Sequence, residues 1–127
     1  MKQEQKELLL KDICSRLPYG VKISIPDLWT QKREIEILDE IFKGDDGLYR
    51  VNSTGQCIEY IKPYLFPLSC MTEEQKEEHK DLLDNQYSFD ANGNVFTLQD
   101  FYCKYHIDYR GLISMGLALD ATGLNIY

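Results

Sequence analysis

Apolar and polar positions change their spacing several times along this chain, and each change marks an element. Leu10, Ile13, Cys14 and Leu17 fall at i, i+3, i+4 and i+7. That spacing predicts one apolar stripe on a helix from about Gln3 to Arg16. Pro18 ends the helix, because the residue before a proline is pushed out of the helical region. A period of two follows, with Val21, Ile23 and Ile25 alternating with Lys22 and Ser24, a half-buried strand that Pro26 closes.

Arg33 to Phe42 fits two templates. Ile35, Ile37 and Ile41 keep a period of two, broken at Asp39, while Leu38 and Phe42 complete a helical arc. β-Branched content favours a strand, and Gly44-Asp45-Asp46-Gly47 supplies a turn into Leu48–Val51, making a hairpin. Asn52-Ser53-Thr54-Gly55 is a second turn, into a fourth strand over Cys57–Tyr64. Pro63 reads as the end of that strand or as an edge position, since proline cannot donate to a ladder. Pro67 holds Phe66 extended.

Thr72-Glu73-Glu74-Gln75 has the residues of a capping box and starts a charged helix to about Asn85, apolar only at Leu82 and Leu83. It should lie on the surface, docked by its last turn. Tyr87-Ser88-Phe89 and Val95-Phe96 flank an Asn92-Gly93 turn, a short hairpin. Thr97 caps another helix, on which Leu98, Phe101, Tyr102 and Tyr105 form an aromatic stripe of core type. The remainder, rich in glycine and leucine, reads as an irregular wrap with a final strand. The elements together predict one α+β domain over 1–127: a small antiparallel sheet of about four strands, an N-terminal helix and two C-terminal helices.

Composition narrows the function classes. The chain has 127 residues, 43% hydrophobic and 28% charged, which suits a folded domain. Its net charge of −7 disfavours phosphate attraction, so nucleic acid is an unlikely partner and a basic or neutral protein a better one. No apolar run approaches the roughly 20 residues of a membrane span, and the start lacks a signal-peptide core, so a cytoplasmic location is expected. The four cysteines are there expected as reduced thiols.

Candidate chemistry is sparse. Asp90-Ala91-Asn92-Gly93-Asn94 resembles the start of a calcium loop, but the glycine is at position four and position twelve is Phe101, so a hairpin turn explains it better. Cys103 and His106 have helical spacing that could put two metal ligands on one face, with Cys57, Cys70 or His79 completing a site, yet no second pair of zinc type exists. With Asp108 they could form a Cys-His-Asp set, which makes a small enzyme or metal protein the rival reading. A histidine satisfied at a helix end explains His106 more simply. No catalytic residue, metal site or cofactor is assigned. Asp108-Tyr109-Arg110 is the most suggestive polar group, since Tyr and Arg are enriched at binding hot spots. Alternatively, Arg110 pairs with Asp108 or a helix C-terminus and fixes the tail.

At IKPYLFPLSCMTEEQ and HIDYRGLISMGLALDA the chain resembles a family of small uncharacterised proteins from gut anaerobic bacteria and their prophages and mobile elements. The two segments span about a quarter of the chain. That family's pattern has serine at the position of Cys70, which speaks against Cys70 as ligand or nucleophile. The resemblance implies a cytoplasmic accessory protein and carries over no activity. The resulting expectation is a non-enzymatic adaptor that binds another protein. Its surface would combine Lys62 and Tyr64 with Tyr105, His106, Asp108, Tyr109 and Arg110.

Overall fold

A computed structural model of the chain describes residues 1–27, 29–30 and 32–127. Helix α1 spans Gln3–Arg16, and Leu17–Tyr19 continues it as a 3-10 turn with Pro18 in its first turn. Gly20 then reverses the chain with φ of 68°, a left-handed conformation that a side chain would strain. The buried face of α1 is Leu9, Asp12, Ile13 and Arg16. The stripe is thus turned from the expected one: Cys14 is exposed, and Leu10 and Leu17 are half-buried. The physical reason is that Asp12 and Arg16 neutralise each other at i, i+4 and can both go inside.

Strand β1 (Lys22–Pro26) pairs antiparallel with β2 (Arg33–Ile37), in register from Lys22 opposite Ile37 to Pro26 opposite Arg33. Ile23 and Ile25 face α1 and the core, but Ser24 on the other face is fully buried too. Arg33 covers it, its Nε donating to Ser24 Oγ at 2.6 Å and its Nη2 to the Tyr60 carbonyl at 2.8 Å.

The Arg33–Phe42 run is extended, in two strands of two different sheets. Leu38 turns into the core at 1% exposure, and β3 (Ile41–Lys43) then pairs with β4 (Tyr49–Val51). The joint is held by buried Asn52, whose side chain accepts from the Asp39 N–H at 2.9 Å and donates to the Ile37 carbonyl at 2.9 Å. Asn52 itself is left-handed with φ of 55°, a conformation asparagine tolerates better than most residues.

The expected strand over Cys57–Tyr64 is also divided. Strand β5 is only Gln56–Cys57, and a 3-10 turn at Ile58–Tyr60 precedes β6 (Lys62–Pro67). The turn puts Ile58 and Ile61 both into the core, which continuous alternation could not do. Pro63 is not the end of its strand, but it does have a strand neighbour on one side only. It is buried inside β6 opposite Ile23, and the pairing of β6 with its other neighbour begins only at Tyr64, so the missing N–H falls outside that ladder.

Helix α2 (Glu73–Asn85) begins with the expected box: Gln75 N–H donates to Thr72 Oγ1 at 3.1 Å, and Thr72 N–H to Gln75 Oε1 at 3.0 Å. Leu82 docks it, while Leu83 is exposed. The hairpin of β7 (Tyr87–Phe89) and β8 (Val95–Thr97) follows, then α3 (Leu98–Lys104), boxed by Thr97 and Asp100. Strands β9 (Ile107–Asp108) and β10 (Leu119–Asp120) both run parallel to β6. The α+β class holds, with the N-terminal helix and two later helices, around a main sheet ordered β10-β6-β1-β2 with β9 also on β6.

Two buried clusters result. The larger joins α1, β1 and β6 through Leu9, Ile13, Val21, Ile23, Ile61 and Leu65. The smaller joins α2, α3 and β9 through Leu82, Phe101 and Ile107, with Tyr102 and Tyr105 packed on it.

Candidate functional site

The sequence-predicted residues lie where β6, β9 and the chain end meet α1, and most turn inward. Asp108 is buried, its carboxylate accepting from the Leu112 N–H at 2.8 Å and the Ile113 N–H at 2.9 Å, so it closes the loop after β9. Arg110 pairs with Asp12 at 3.2 Å rather than with Asp108. Tyr109 stacks on Tyr102 with centroids 4.7 Å apart, and the Arg110 guanidinium lies over its ring. Burial raises the Tyr109 phenol. Tyr105 donates to Glu78 at 2.8 Å, which ties α3 to α2. Tyr64 is buried in β6, and Lys62 beside it is half-buried.

His106 is a packed residue. It has φ of 57° after α3, and its ring stacks on Tyr127 with centroids 3.8 Å apart. Burial, reinforced by the charges of Arg16 and Lys22, lowers its pKa to about 4. The Tyr127 residue is 42% exposed at the chain end, yet its hydroxyl sits between strands, accepting from the Lys22 N–H at 2.8 Å and donating to the Tyr64 carbonyl at 2.7 Å. Burial pushes that hydroxyl up to about 12.

Cys103 is buried and contacts Ser15 Oγ at 3.7 Å, and burial raises its thiol. The His106 N–H donates to the Cys103 carbonyl at 3.2 Å as α3 ends. Among the described residues, however, no side-chain hydrogen bond links Cys103, His106 and Asp108 as nucleophile, base and orienter would be linked. Among the described residues, no group of three or more His, Cys, Asp or Glu side chains is placed to hold a metal ion.

Beneath these residues lies a feature the sequence reading missed. Asp12 and Arg16, both fully buried, form a two-point ion pair at 2.8 and 3.1 Å. Arg16 also donates to the Ile107 carbonyl at 2.7 Å and lies over the Tyr109 ring. The i, i+4 spacing was visible, but in a chain this charged such pairs are ordinarily surface features.

The other missed feature is a cleft of about 390 Å³ between α1 and the β4–β5 hairpin. Leu10, Leu48, Tyr49 and Ile58 supply apolar walls; Lys6, Glu7 and Glu59 supply charge. Lys6 bridges to Glu59 at 3.0 Å, linking helix to hairpin. Leu48 and Tyr49 remain 45% and 39% exposed, so this wall is apolar surface facing solvent. Its size and mixed lining are those of binding sites for apolar groups.

No described protein family's model matches the chain, and no curated protein or solved structure matches it either. No described helix is long and apolar enough to cross a membrane.

Proposed function

We propose that this protein is a non-enzymatic binding module, a cytoplasmic adaptor that holds another protein, in the phage or mobile-element setting its sequence resemblance implies. The observation that supports it is the α1/β4–β5 cleft, where Leu48 and Tyr49 stay exposed around an apolar recess of about 390 Å³. Lys6 pairs with Glu59, which leaves Glu7 as the unbalanced charge, so the fitting partner inserts an apolar side chain beside a basic residue. The surface moves away from that expected from sequence, because Tyr64 and Asp108 are buried and Arg110 is paired with Asp12.

The test is site-specific photo-crosslinking from position 48 in cells that naturally carry the protein, beside purification of wild type and Leu48→Asp. A single partner crosslinked at 48 and lost in the folded Leu48→Asp protein supports the reading. A partner retained at wild-type level by Leu48→Asp would sink this cleft as the contact. Absence of any crosslinked partner would sink the adaptor reading.

A further inference from the structure

Strand β2 is the open end of the main sheet. The pattern of its bonds to β1 fixes which groups are free. Asp27 N–H donates to the Lys32 carbonyl at 2.7 Å, and Leu38 N–H to the Val21 carbonyl at 2.9 Å, at the two ends of the ladder. In an antiparallel ladder the bonded pairs alternate, so Glu34 and Glu36 bond inward to β1 while Arg33, Ile35 and Ile37 point their N–H and C=O groups outward. The Ile37 carbonyl is taken by Asn52. No backbone partner is present among the described residues for the outward groups of Arg33 and Ile35. Ile35 and Ile37 are 47% and 56% exposed, and Trp29, in the turn leading into β2, is 95% exposed.

An edge of this kind is a template for another strand, and its charges select which one. Lys32 stands at the start and Glu36 near the end, on the same face. Antiparallel pairing with an identical strand therefore sets unlike charges opposite each other. We propose that two copies of this chain associate through their β2 edges, antiparallel and two-fold symmetric about Glu34. In that register Arg33 and Ile35 exchange bonds with Ile35 and Arg33 of the second copy, which uses the free groups and leaves the Ile37 carbonyl to Asn52. Lys32 meets Glu36 of the second copy, twice by symmetry, and only Glu34 faces itself. Centring on Ile35 instead would oppose Glu34 and Glu36 twice, and like charges directly opposite are destabilising. Centring on Glu36 would need the Ile37 carbonyl. The two sheets then run on as one, a closed C2 arrangement of the commonest kind. This association does not depend on the cleft, which lies on α1 and the β4–β5 hairpin.

The test is sedimentation equilibrium across a concentration series, with Trp29 fluorescence as a second signal because it is the chain's only tryptophan. Wild type is expected to be a reversible dimer. Glu36→Lys and Lys32→Glu should each weaken it by about tenfold, whereas the double variant Lys32→Glu/Glu36→Lys should restore it. Glu34→Gln should tighten it. Ile35→Pro, which removes an outward donor and no bond to β1, should leave a monomer. Should that variant fail to fold, the charge series still decides, since Lys32 is exposed, Glu36 is half-buried, and neither belongs to a buried cluster. A wild type that stays monomeric at its highest soluble concentration would overturn the proposal, as would a dimer whose affinity ignores the charge series.

Discussion

The seam between α1 and β9 and the open edge of β2 invert each other. At the seam, charged residues lie inside: Asp12 and Arg16 are at 0% exposure, with Arg110 closing onto Asp12. At the edge, isoleucines lie outside, at 47% and 56%. A buried polar group and an exposed apolar one are the two informative departures from ordinary burial, and they carry different information. The seam's charges pair with one another, although Arg16 Nη1 has no partner among the described residues, so the seam explains how β9 and the loop after it are held to the first helix. The outward backbone groups of Arg33 and Ile35 have no backbone partner among the described residues, so the edge points outward to association.

The largest effect should come from breaking the seam on one side only. Asp12→Ala leaves the Arg16 guanidinium buried without its counter-charge, and removing one member of a buried pair typically costs about 3–5 kcal/mol. Arg110 can move toward water, but Arg16 is fully buried. Replacing both members, Asp12→Leu with Arg16→Met, should cost much less, because no uncompensated charge remains. Urea unfolding of the three proteins measures this. Equal losses in single and double variants would mean that packing, not charge, holds the seam.

A smaller effect should appear as pH dependence at the chain end. His106 has its pKa lowered from 6.5 to about 4 by burial and by Arg16 and Lys22. The folded protein therefore resists a proton that the unfolded chain accepts, so stability is full above about pH 6.5 and falls as pH drops toward 4. The carboxylates of Asp27, Asp46, Asp90, Asp100 and Asp120, all lowered from 3.8, add their losses below that window. His106→Asn, which keeps a residue tolerant of the left-handed backbone, should flatten the profile between pH 6.5 and 4. Tyr127→Ala should flatten it partly, by uncovering the imidazole and letting its pKa rise. Unfolding free energies at several pH values test both variants, and an NMR titration of the imidazole locates the pKa itself.

The same contrast explains what the sequence could and could not disclose. Local signals were legible: both threonine capping boxes, the Gly44–Gly47 and Asn92-Gly93 turns, and the α1 boundaries depend on neighbours within four residues. The failures all required distant partners. The α1 stripe turned because Arg16 finds the Ile107 carbonyl 91 residues away. Arg33–Phe42 broke because Asn52 takes both chains of the joint. β6 became central because two late strands dock on it beyond Pro63, each only two residues long and below any periodic signal. For the candidate site, Lys62, Tyr64 and Tyr105–Arg110 do cluster around β6 and β9, but alternation could not show that Asp108 would turn its carboxylate onto backbone N–H groups. The cleft needed α1 and the β4–β5 hairpin side by side, and their residues are more than 30 positions apart.

The smallest effects should be at the edge and the cleft wall, and their smallness is what sharpens the contrast. Ile35→Lys and Leu48→Asp replace side chains that are 47% and 45% exposed. Neither residue is part of a buried cluster. Substitutions at such sites usually shift stability by about 0.5 kcal/mol or less. Measured at protein concentrations low enough to keep the chain monomeric, both variants should unfold with wild-type midpoints and slopes. A loss of about 2 kcal/mol or more, the size of a core truncation, would show these residues holding the monomer together. Their exposure would then no longer speak for association. Near-neutral values would leave two apolar surfaces with no role inside the monomer, free for contacts between molecules.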